Sequence, residues 1–472
     1  MPGSQKGHDG GPQTRRGAAS TVGSLFAARA RIHPGRLALE DAARRYTYGE
    51  LAGRARQLAG VLSSRGVGRG ERVALLSENR TETLEVFLAA AHLGAIVACP
   101  STRVAPPELA HCIDLVEPVC VVVSPRHAGA LGSAPSSRAL VLDADYEAQL
   151  VGAREAPEGD VDPEDGLLLL YTSGTTGLPK GAVVSHRAEI ARNLVLRAEY
   201  GLASEDTFVA WSPLYHMGAA ECALGTLMSG GSVVVVDGFD RSRLAELVAT
   251  RELGYLLLMP GMVGAFAAEL RERGVPARGV KVCGVMADLV PPAEIAAITT
   301  LLGAPYANTF GATETGWPPA SSSLIPVGAA PERLSKTQSP CCEVRLVDAD
   351  DAEVPDGAPG ELCMRGPTLF SGYWRAPDAN EHDFRGGWFH MGDVFVRNAD
   401  GSLDFVDRVK YLIKSGGENV YPAEIERVLL RDPRVTDAAV VRRPDARWGE
   451  VPVAFVARRD ESLTVDELRA RC

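Results

Sequence analysis

Short apolar runs recur along the chain, and segments of helical length separate them. The runs cover residues 72–76, 96–99, 119–123, 167–171, 233–236, 255–259 and 280–285. Strands that are apolar along their whole length are buried on both faces, which is typical of parallel sheets covered by helices. The pattern therefore predicts an α/β fold whose large N-terminal domain contains parallel or mixed sheets flanked by helices.

The pattern changes after about residue 340. Turn sequences at 355–357 and 398–401 separate strands in which polar and apolar residues alternate, which predicts a small antiparallel β subdomain. A short α+β lobe follows, with a helix at 422–430 and a strand at 451–458. We therefore expect a disordered segment over residues 1–20, one domain over 21–406, and over 407–472 a partial C-terminal lobe that looks truncated.

Charge, cysteine content and hydropathy restrict the class of protein. The 472 residues carry a formal charge of −11, which repels polyphosphate chains and argues against nucleic acid as a partner. The nine cysteines include no CxxC pair, which is typical of a reducing compartment. The longest apolar stretch, 86–99, is shorter than the roughly 20 residues that a spanning helix needs. We therefore expect a cytoplasmic protein without a membrane span.

The most informative segment is the loop at 171–181, with the sequence YTSGTTGLPKG. Glycines let main-chain N–H groups converge on an anion, hydroxyls donate hydrogen bonds, and a lysine adds a positive charge. A Walker A loop would need glycine at 179 and serine or threonine at 181, where this chain has Pro179 and Gly181. The segment thus predicts a phosphate-binding loop that is not an ordinary P-loop, with a mobile surface turn as the alternative.

This loop resembles the phosphate-binding signature of the superfamily of adenylate-forming enzymes, which includes acyl-CoA synthetases, nonribosomal-peptide adenylation domains and beetle luciferases. The resemblance extends from about residue 25 to 472, and further motifs follow in the family's order: PLYHM at 213–217, NTFGATE at 308–314, GWFHMGD at 387–393 and DRVK at 407–410. It is greatest with acyl-CoA synthetases. It implies ATP-dependent activation of a carboxylic acid to an acyl-adenylate with release of pyrophosphate, and then transfer of the acyl group to coenzyme A.

The resemblance also implies a role for each motif at the nucleotide. Phe310 would lie against adenine, Asp393 would accept the ribose hydroxyls, and Arg408 would contact ribose or phosphate. Thr313 would contact the α-phosphate and Glu314 would hold Mg²⁺. The implied nucleotide-binding residues are Thr172, Ser173, Gly174, Thr175, Thr176, Gly177, Lys180, Phe310, Gly311, Ala312, Thr313, Asp393 and Arg408, and the implied metal ligands are Glu314 and Thr176.

Other motifs are implied to bind the acid and coenzyme A. Lys410 would be the hinge of a lobe that swings between two half-reactions, and a glycine loop after it would border the coenzyme A channel. The implied acyl-pocket residues are Tyr215, His216, Met217, Val285, Met286 and Gly311; the hinge and channel residues are Lys410, Ser415, Gly416 and Gly417; the catalytic residues are Lys180, His216, Thr313 and Glu314.

The chain departs from the family pattern at a few positions. Phe310 stands where the family usually has tyrosine, and Met391 where it usually has threonine. His216 occupies the place of the aspartate that pairs with the α-ammonium group in amino-acid-activating members, so the acid is expected to be an acyl or aryl carboxylate. Complete members carry a lysine far into the last lobe, whereas the last lysine here is Lys414. We therefore expect slow adenylation with ATP binding preserved.

Several alternatives stay open from the sequence. The chain could be a natural short form or a fragment, and it could be a weakly active or inactive nucleotide-binding homologue. It could also pass the adenylate to a carrier-protein thiol or to an amine. Whether the acid is aliphatic or aromatic cannot be read from the pocket residues.

Overall fold

The computed structural model describes residues 20–131, 139–172, 178–274, 276–415, 418–432, 434–445, 447–460 and 462–470. All but Ser20 of the segment expected to be disordered lie outside these ranges. By internal contacts the chain divides into two units. The first unit comprises Met1–Glu332 and Pro367–Asn380, and the second unit comprises Arg333–Gly366 and Glu381–Cys472. The domain boundary expected between residues 406 and 407 stays a prediction.

Helices occur throughout both units. They are α1 Val22–Ile32, α2 Tyr48–Ser64, α3 Thr81–Leu93, α4 Pro106–Val116, α5 Ala144–Gly152, α6 His186–Tyr200, α7 Met217–Ser229, α8 Arg241–Thr250, α9 Val263–Arg273, α10 Pro292–Leu302, α11 Pro377–Asp383, α12 Pro422–Leu430 and α13 Val465–Arg469. In the part of the chain that the structure describes, none of them is long and apolar enough to cross a membrane.

Within the described residues, the strands of the first unit form three sheets. They are β1 Leu37–Glu40, β2 Arg45–Thr47, β3 Arg72–Leu76, β4 Ile96–Cys99, β5 Cys120–Val123, β6 Ala139–Val141, β7 Gly166–Thr172, β8 Lys180–Ser185, β9 Thr207–Ala210, β10 Ser232–Val235, β11 Leu253–Leu256, β12 Val280–Cys283, β13 Tyr306–Ala307, β14 Phe310–Ala312, β15 Gly316–Ala320 and β16 Leu324–Ile325. An eight-stranded sheet has the order β16-β13-β12-β11-β9-β10-β1-β2, a six-stranded sheet has the order β6-β5-β3-β4-β7-β8, and β14 pairs with β15.

Most neighbours in the two large sheets of the first unit are parallel, as the continuous apolar runs predict. Antiparallel pairs stand at the edges, where β2 joins β1, β16 joins β13 and β8 joins β7. One hydrophobic core joins side chains of both sheets to those of α1, α2, α3 and α7. The fold class predicted for the large domain is therefore confirmed.

The second unit contains two antiparallel sheets. Its strands are β17 Glu343–Val347, β18 Pro359–Arg365, β19 Phe389–Arg397, β20 Leu403–Arg408, β21 Ile413–Ser415, β22 Glu418–Val420, β23 Val435–Asp445 and β24 Gly449–Arg458. They pair in the orders β17-β18-β19-β20 and β22-β21-β24-β23. The predicted antiparallel subdomain and α+β lobe are both present.

Strand β11 differs most from its expected bounds. The run 255–259 was expected to be a strand, whereas β11 spans Leu253–Leu256 and the chain then leaves the sheet. The carbonyl of Leu257 accepts a hydrogen bond from the Trp211 indole at 2.7 Å. The Trp211 side chain therefore occupies the carbonyl that a neighbouring strand would otherwise bind. The hydrophobicity of the run 255–259 does not indicate this contact.

A buried histidine makes the stability of the first unit depend on pH. The Nδ1 atom of His186 accepts a hydrogen bond from the main-chain N–H of Val22 at 3.2 Å, so this nitrogen must carry no proton. Burial lowers the pKa of His186 from 6.5 to about 4, and the charge of Asp165 opposes this only in part. Between these values the unfolded chain binds more protons, so the free energy of unfolding rises with pH across this window.

We expect His186 to cost about 2 kcal/mol of stability when the pH falls from about 7 to about 5. The measurement is the free energy of unfolding in denaturant at a series of pH values for the wild type and for His186→Gln, which cannot titrate. The difference between the two pH profiles isolates the histidine. Parallel profiles across the window would contradict the prediction.

Candidate functional site

The predicted phosphate loop connects β7 to β8. The two strands form an antiparallel hairpin in which Thr172 is the register partner of Lys180, so both side chains lie on one face at the mouth of the loop. The predicted loop residues Ser173, Gly174, Thr175, Thr176 and Gly177 lie outside the described residues. The structure thus fixes both ends of the loop and brings its first hydroxyl residue and its lysine together.

The NTFGATE motif forms a second hairpin. Strands β14 and β15 pair antiparallel, with Thr313 and Glu314 at the turn. The main-chain N–H of Ala312 donates to the Thr315 hydroxyl at 2.9 Å, which closes the turn. A Cβ atom at Gly311 would come within 2.1 Å of the carbonyl oxygen of Gly316, so only glycine allows this approach. The turn thus presents a hydroxyl and a carboxylate from adjacent positions.

Tyr373 links the two hairpins. Its hydroxyl donates to Oε1 of Glu314 at 2.9 Å. The ammonium nitrogen of Lys180 lies 3.8 Å from the centroid of the same aromatic ring, which is a cation–π contact. One side chain therefore contacts both the lysine of the predicted phosphate loop and the predicted metal ligand, although neither motif includes it.

The segment that carries Tyr373 is held against β8. Ser371 donates to the carbonyl of Val183 at 2.7 Å, and Trp374 donates to the carbonyl of Gly181 at 2.8 Å, so the segment extends the sheet. The Asn380 amide clamps Tyr373 itself, because its oxygen accepts from the Tyr373 N–H at 2.7 Å and its nitrogen donates to the Tyr373 carbonyl at 2.9 Å. These bonds fix the main chain from which the tyrosine ring reaches Lys180.

The predicted acyl-pocket residues Tyr215 and His216 are adjacent in space, with ring centroids 4.7 Å apart. His216 is the N-cap residue of α7. Partial burial, and to a smaller extent the positive charge of Arg103, lower the pKa of His216, so its imidazole is neutral at pH 7. Met217 follows as the first residue of the helix.

The chain that leads to these rings is held by a buried side chain, Asn79. Its amide nitrogen donates to the carbonyl of Ser212 at 2.8 Å, and its oxygen accepts from the N–H of Leu214 at 2.8 Å. The loop that presents Tyr215 and His216 is therefore fixed by a residue distant in sequence that belongs to none of the predicted motifs.

Val285 and Met286 lie just after β12 in the first unit. Val285 is buried. Met286 has φ of 52°, in the left-handed region that costs a side-chain-bearing residue about 1–2 kcal/mol. Glycine adopts this conformation without strain, so Met286 carries a side chain at a position whose backbone favours glycine.

In the second unit, Asp393 and Arg408 face each other. They are register partners on β19 and β20, and the guanidinium Nε atom of Arg408 lies 3.1 Å from Oδ1 of Asp393. The Asp393 side chain is buried, whereas the Arg408 side chain is half exposed. The structure therefore brings together the two residues of this unit that were predicted to bind the nucleoside.

Asp407 holds the start of the C-terminal lobe. Its carboxylate accepts from the N–H of Arg408 at 2.7 Å and from the N–H of Ala423, in the first turn of α12, at 2.8 Å. Lys410 follows in a 3-10 turn, with its ammonium group 4.9 Å from the ring centroid of Tyr411. Ser415 ends β21, while Gly416 and Gly417 lie outside the described residues.

Comparisons with known proteins identify the family of this chain. Residues 26–374 match the family model of AMP-binding enzymes, and residues 424–472 match the AMP-binding enzyme C-terminal domain. The chain is 34% identical to a feruloyl-CoA synthase of Amycolatopsis sp. over 95% of its own length and 91% of the relative. It is 32% identical to an indoleacetate–CoA ligase of Aromatoleum aromaticum, over 90% of this chain and 86% of the relative.

A solved structure extends the similarity to the whole fold. The ATP-bound MatB of Rhodopseudomonas palustris superposes with a TM-score of 0.82 at 28% identity, covering 96% of this chain and 92% of that protein. The family matches cover both the hairpins that carry Lys180 and Glu314 and most of the C-terminal lobe. This chain therefore belongs to the adenylate-forming superfamily of AMP-binding enzymes.

Proposed function

We propose that this chain is an AMP-forming acid–CoA ligase that uses ATP, Mg²⁺ and coenzyme A. The observation that carries the proposal is the contact of Tyr373 with both Lys180 and Glu314. It places a cation and a carboxylate beside the mouth of the loop, where a metal–triphosphate complex needs both charges. The relatives named as CoA ligases support the same reaction.

The chemistry requires no covalent nucleophile from the protein. A carboxylate oxygen of the acid attacks the α-phosphorus of ATP, and the bond to pyrophosphate breaks. The thiol of coenzyme A then attacks the acyl carbon, and AMP leaves with the bonding electron pair while the thiol proton passes to solvent. The protein supplies alignment and charge stabilisation. We assign Thr172 and Lys180 to the pyrophosphate end and Thr313 to the α-phosphate.

Glu314 has the chemistry that Mg²⁺ requires. Its carboxylate is a hard oxygen donor at a turn that is partly open to solvent, and Tyr373 occupies only its Oε1 atom among the hydrogen bonds of the described residues. Mg²⁺ in enzymes is commonly held by one or two carboxylates, substrate phosphates and water. We therefore assign Glu314 as the protein ligand, and Thr176 stays a predicted second ligand. When bound, the metal would neutralise phosphate charge.

The nucleoside and coenzyme A roles follow the sequence predictions. We assign Phe310 to the adenine face, with Gly311 and Ala312 beside it on the same strand, and Asp393 with Arg408 to the ribose. The buried Asp393 carboxylate forms an ion pair with Arg408, and a carboxylate can accept two O–H donors at once. Lys410 remains the predicted hinge, and Ser415, Gly416 and Gly417 the predicted border of the coenzyme A channel.

For the substrate, we propose an aromatic carboxylic acid. The names of the two relatives specify feruloyl and indoleacetate groups, and both contain an aromatic ring. The neutral His216 and the adjacent Tyr215 offer flat surfaces to such a ring, and they offer no anion that would pair with an α-ammonium group. We assign Val285, Met286, Met217 and Gly311 to the same acyl pocket, as the sequence predicts.

A panel of acids tests this function. With Mg·ATP and coenzyme A, we expect AMP and an acyl-CoA in equal amounts, and aromatic acids such as ferulate and indoleacetate to exceed aliphatic acids of similar size. ATP binding by calorimetry without AMP formation would indicate a nucleotide-binding homologue instead. AMP formation that requires a carrier protein or hydroxylamine in place of coenzyme A would indicate another acceptor. The rate of AMP formation in the same assay tests the hypothesis of slow adenylation, and a rate typical of acyl-CoA synthetases would contradict it.

A further inference from the structure

A buried arginine lies beneath the turn that carries Thr313 and Glu314. Arg192, on α6, has 0% of its surface exposed. Its Nε atom donates to the carbonyl of Thr368 at 2.8 Å, and its Nη2 atom donates to the carbonyls of Thr313 and Glu314, both at 3.1 Å. Its Nη1 atom donates to the carboxylate of Glu221, on α7. Each of the three guanidinium nitrogens of Arg192 thus donates to an acceptor within the first unit.

A second carboxyl group lies near this ion pair. Glu189, on the same helix as Arg192, is fully buried, and within the described chain neither of its carboxyl oxygens has a hydrogen-bond partner. Burial, and after it the charge of Glu221, raise the pKa of Glu189 well above its ordinary value, so we assign it the protonated form. The ion pair of the cluster is therefore the one between Arg192 and Glu221; burial raises the pKa of Glu221 to about 7, and the charge of Arg192 opposes this rise.

Stability alone does not explain this arrangement. Taking an ion pair out of water costs several kcal/mol, and apolar side chains of similar volume often serve as well or better. An apolar pair has no hydrogen-bond donors, whereas the planar guanidinium of Arg192 binds three carbonyl oxygens at once. The turn also rests directly on Arg192, because a Cβ atom at Gly316 would come within 2.7 Å of the Arg192 side chain.

We propose that Arg192 is a positioning residue that fixes the main chain of Thr313 and Glu314, so that their side chains meet the nucleotide and its metal in a single geometry. The Glu314 carbonyl also accepts from the N–H of Phe370 at 2.8 Å, and the Glu314 carboxylate accepts from Tyr373. The main chain of the turn is therefore held from beneath by Arg192 while the carboxylate is held by Tyr373. This inference rests on the proposed function of the turn.

The first test is Arg192→Lys. A lysine keeps a cation beside Glu221, so the variant folds, yet an ammonium group cannot reproduce the fork that reaches Thr368 and both turn carbonyls. Small displacements of a positioned group are costly, and we expect kcat/KM for Mg·ATP to fall by about ten-fold or more while KM for the acid is unchanged. An unchanged kcat/KM for Mg·ATP, or a rise in the KM of the acid as large as that in the KM of Mg·ATP, would overturn the proposal.

The second test separates positioning from stability. The double variant Arg192→Met/Glu221→Met replaces the ion pair with two apolar side chains. We expect its melting temperature to be close to that of the wild type. We expect kcat/KM for Mg·ATP to stay low, because no donor reaches the turn carbonyls. Recovery of activity together with the melting temperature would show that Arg192 is merely structural. If the double variant does not fold, the lysine variant decides.

A matched control and the wild type complete the experiment. Glu189→Gln replaces a protonated carboxyl group with a neutral side chain of the same shape and is expected to leave both kinetic constants unchanged. A loss of ATP affinity in this variant would show that the whole cluster, and not Arg192, sets the turn, which would overturn the assignment. Failure of the proposed function is distinguishable, because the wild type itself would then form no AMP with any acid.

Discussion

Replacing Lys180 with alanine is expected to lower the rate of acid-dependent AMP formation by about 10²- to 10³-fold. Lys180 is the register partner of Thr172 across the hairpin, and its ammonium group lies 3.8 Å from the centroid of the Tyr373 ring. A cation in this place stabilises negative charge that develops on the departing pyrophosphate. The measurement is the initial rate of AMP release at saturating Mg·ATP and acid.

Lys281→Ala is the matched control for this variant. Lys281 lies in the same unit, on β12, and its ammonium group pairs with Asp206 at 2.8 Å. The Lys281→Ala variant removes the same kind of side chain at a residue to which no role in the reaction is assigned, so we expect the wild-type rate. If the two alanine variants had equal rates, Lys180 would have no part in the reaction.

Glu314→Gln is expected to lower the rate by about 10²-fold and to raise the Mg²⁺ concentration needed for half-maximal activity. The glutamine oxygen can still accept from Tyr373, so the turn keeps its shape while the metal ligand loses its charge. Titration of AMP formation with Mg²⁺ at fixed ATP measures both effects. An unchanged Mg²⁺ dependence would exclude Glu314 as a ligand.

Tyr373→Phe serves as the comparison for Glu314→Gln. It keeps the carboxylate and the ring beneath Lys180, and it removes the hydrogen bond of 2.9 Å to Glu314. A hydrogen bond to a charged group contributes about 1.5–3 kcal/mol, so we expect a smaller shift of the Mg²⁺ dependence than in Glu314→Gln. A larger effect in the tyrosine variant would assign the main role to the ring and not to the carboxylate.

Much of the fold follows from local sequence signals. The strand β3 at Arg72–Leu76 and the helix α12 have the expected bounds, because apolar periodicity and flanking turn residues mark them directly. The threonine and glutamate three residues apart at Thr47 and Glu50 are another local signal, and each side chain is bonded to the other's main-chain N–H at the start of α2. Strand β11 ends early because Trp211, distant in sequence, binds the carbonyl of Leu257.

The contacts of the candidate site follow from the sequence only in part. The motifs identify Lys180 and Glu314, since each stands in a distinctive local pattern. They do not identify Tyr373 or Arg192, whose partners are separated from them by long stretches of chain. Such contacts depend on the tertiary packing of β8, α6 and the segment 371–374. The local sequence around Tyr373 offers only an aromatic residue after Gly372, which does not indicate a role in the site.

The most direct test of acyl-adenylate formation uses an acid labelled with oxygen-18 in its carboxylate. The enzyme is incubated with the labelled acid, Mg·ATP and coenzyme A, and mass spectrometry follows the label. In-line attack of the carboxylate on the α-phosphorus predicts that one labelled oxygen appears in AMP and none in pyrophosphate. AMP without label, or label in pyrophosphate or inorganic phosphate, would contradict the proposed reaction.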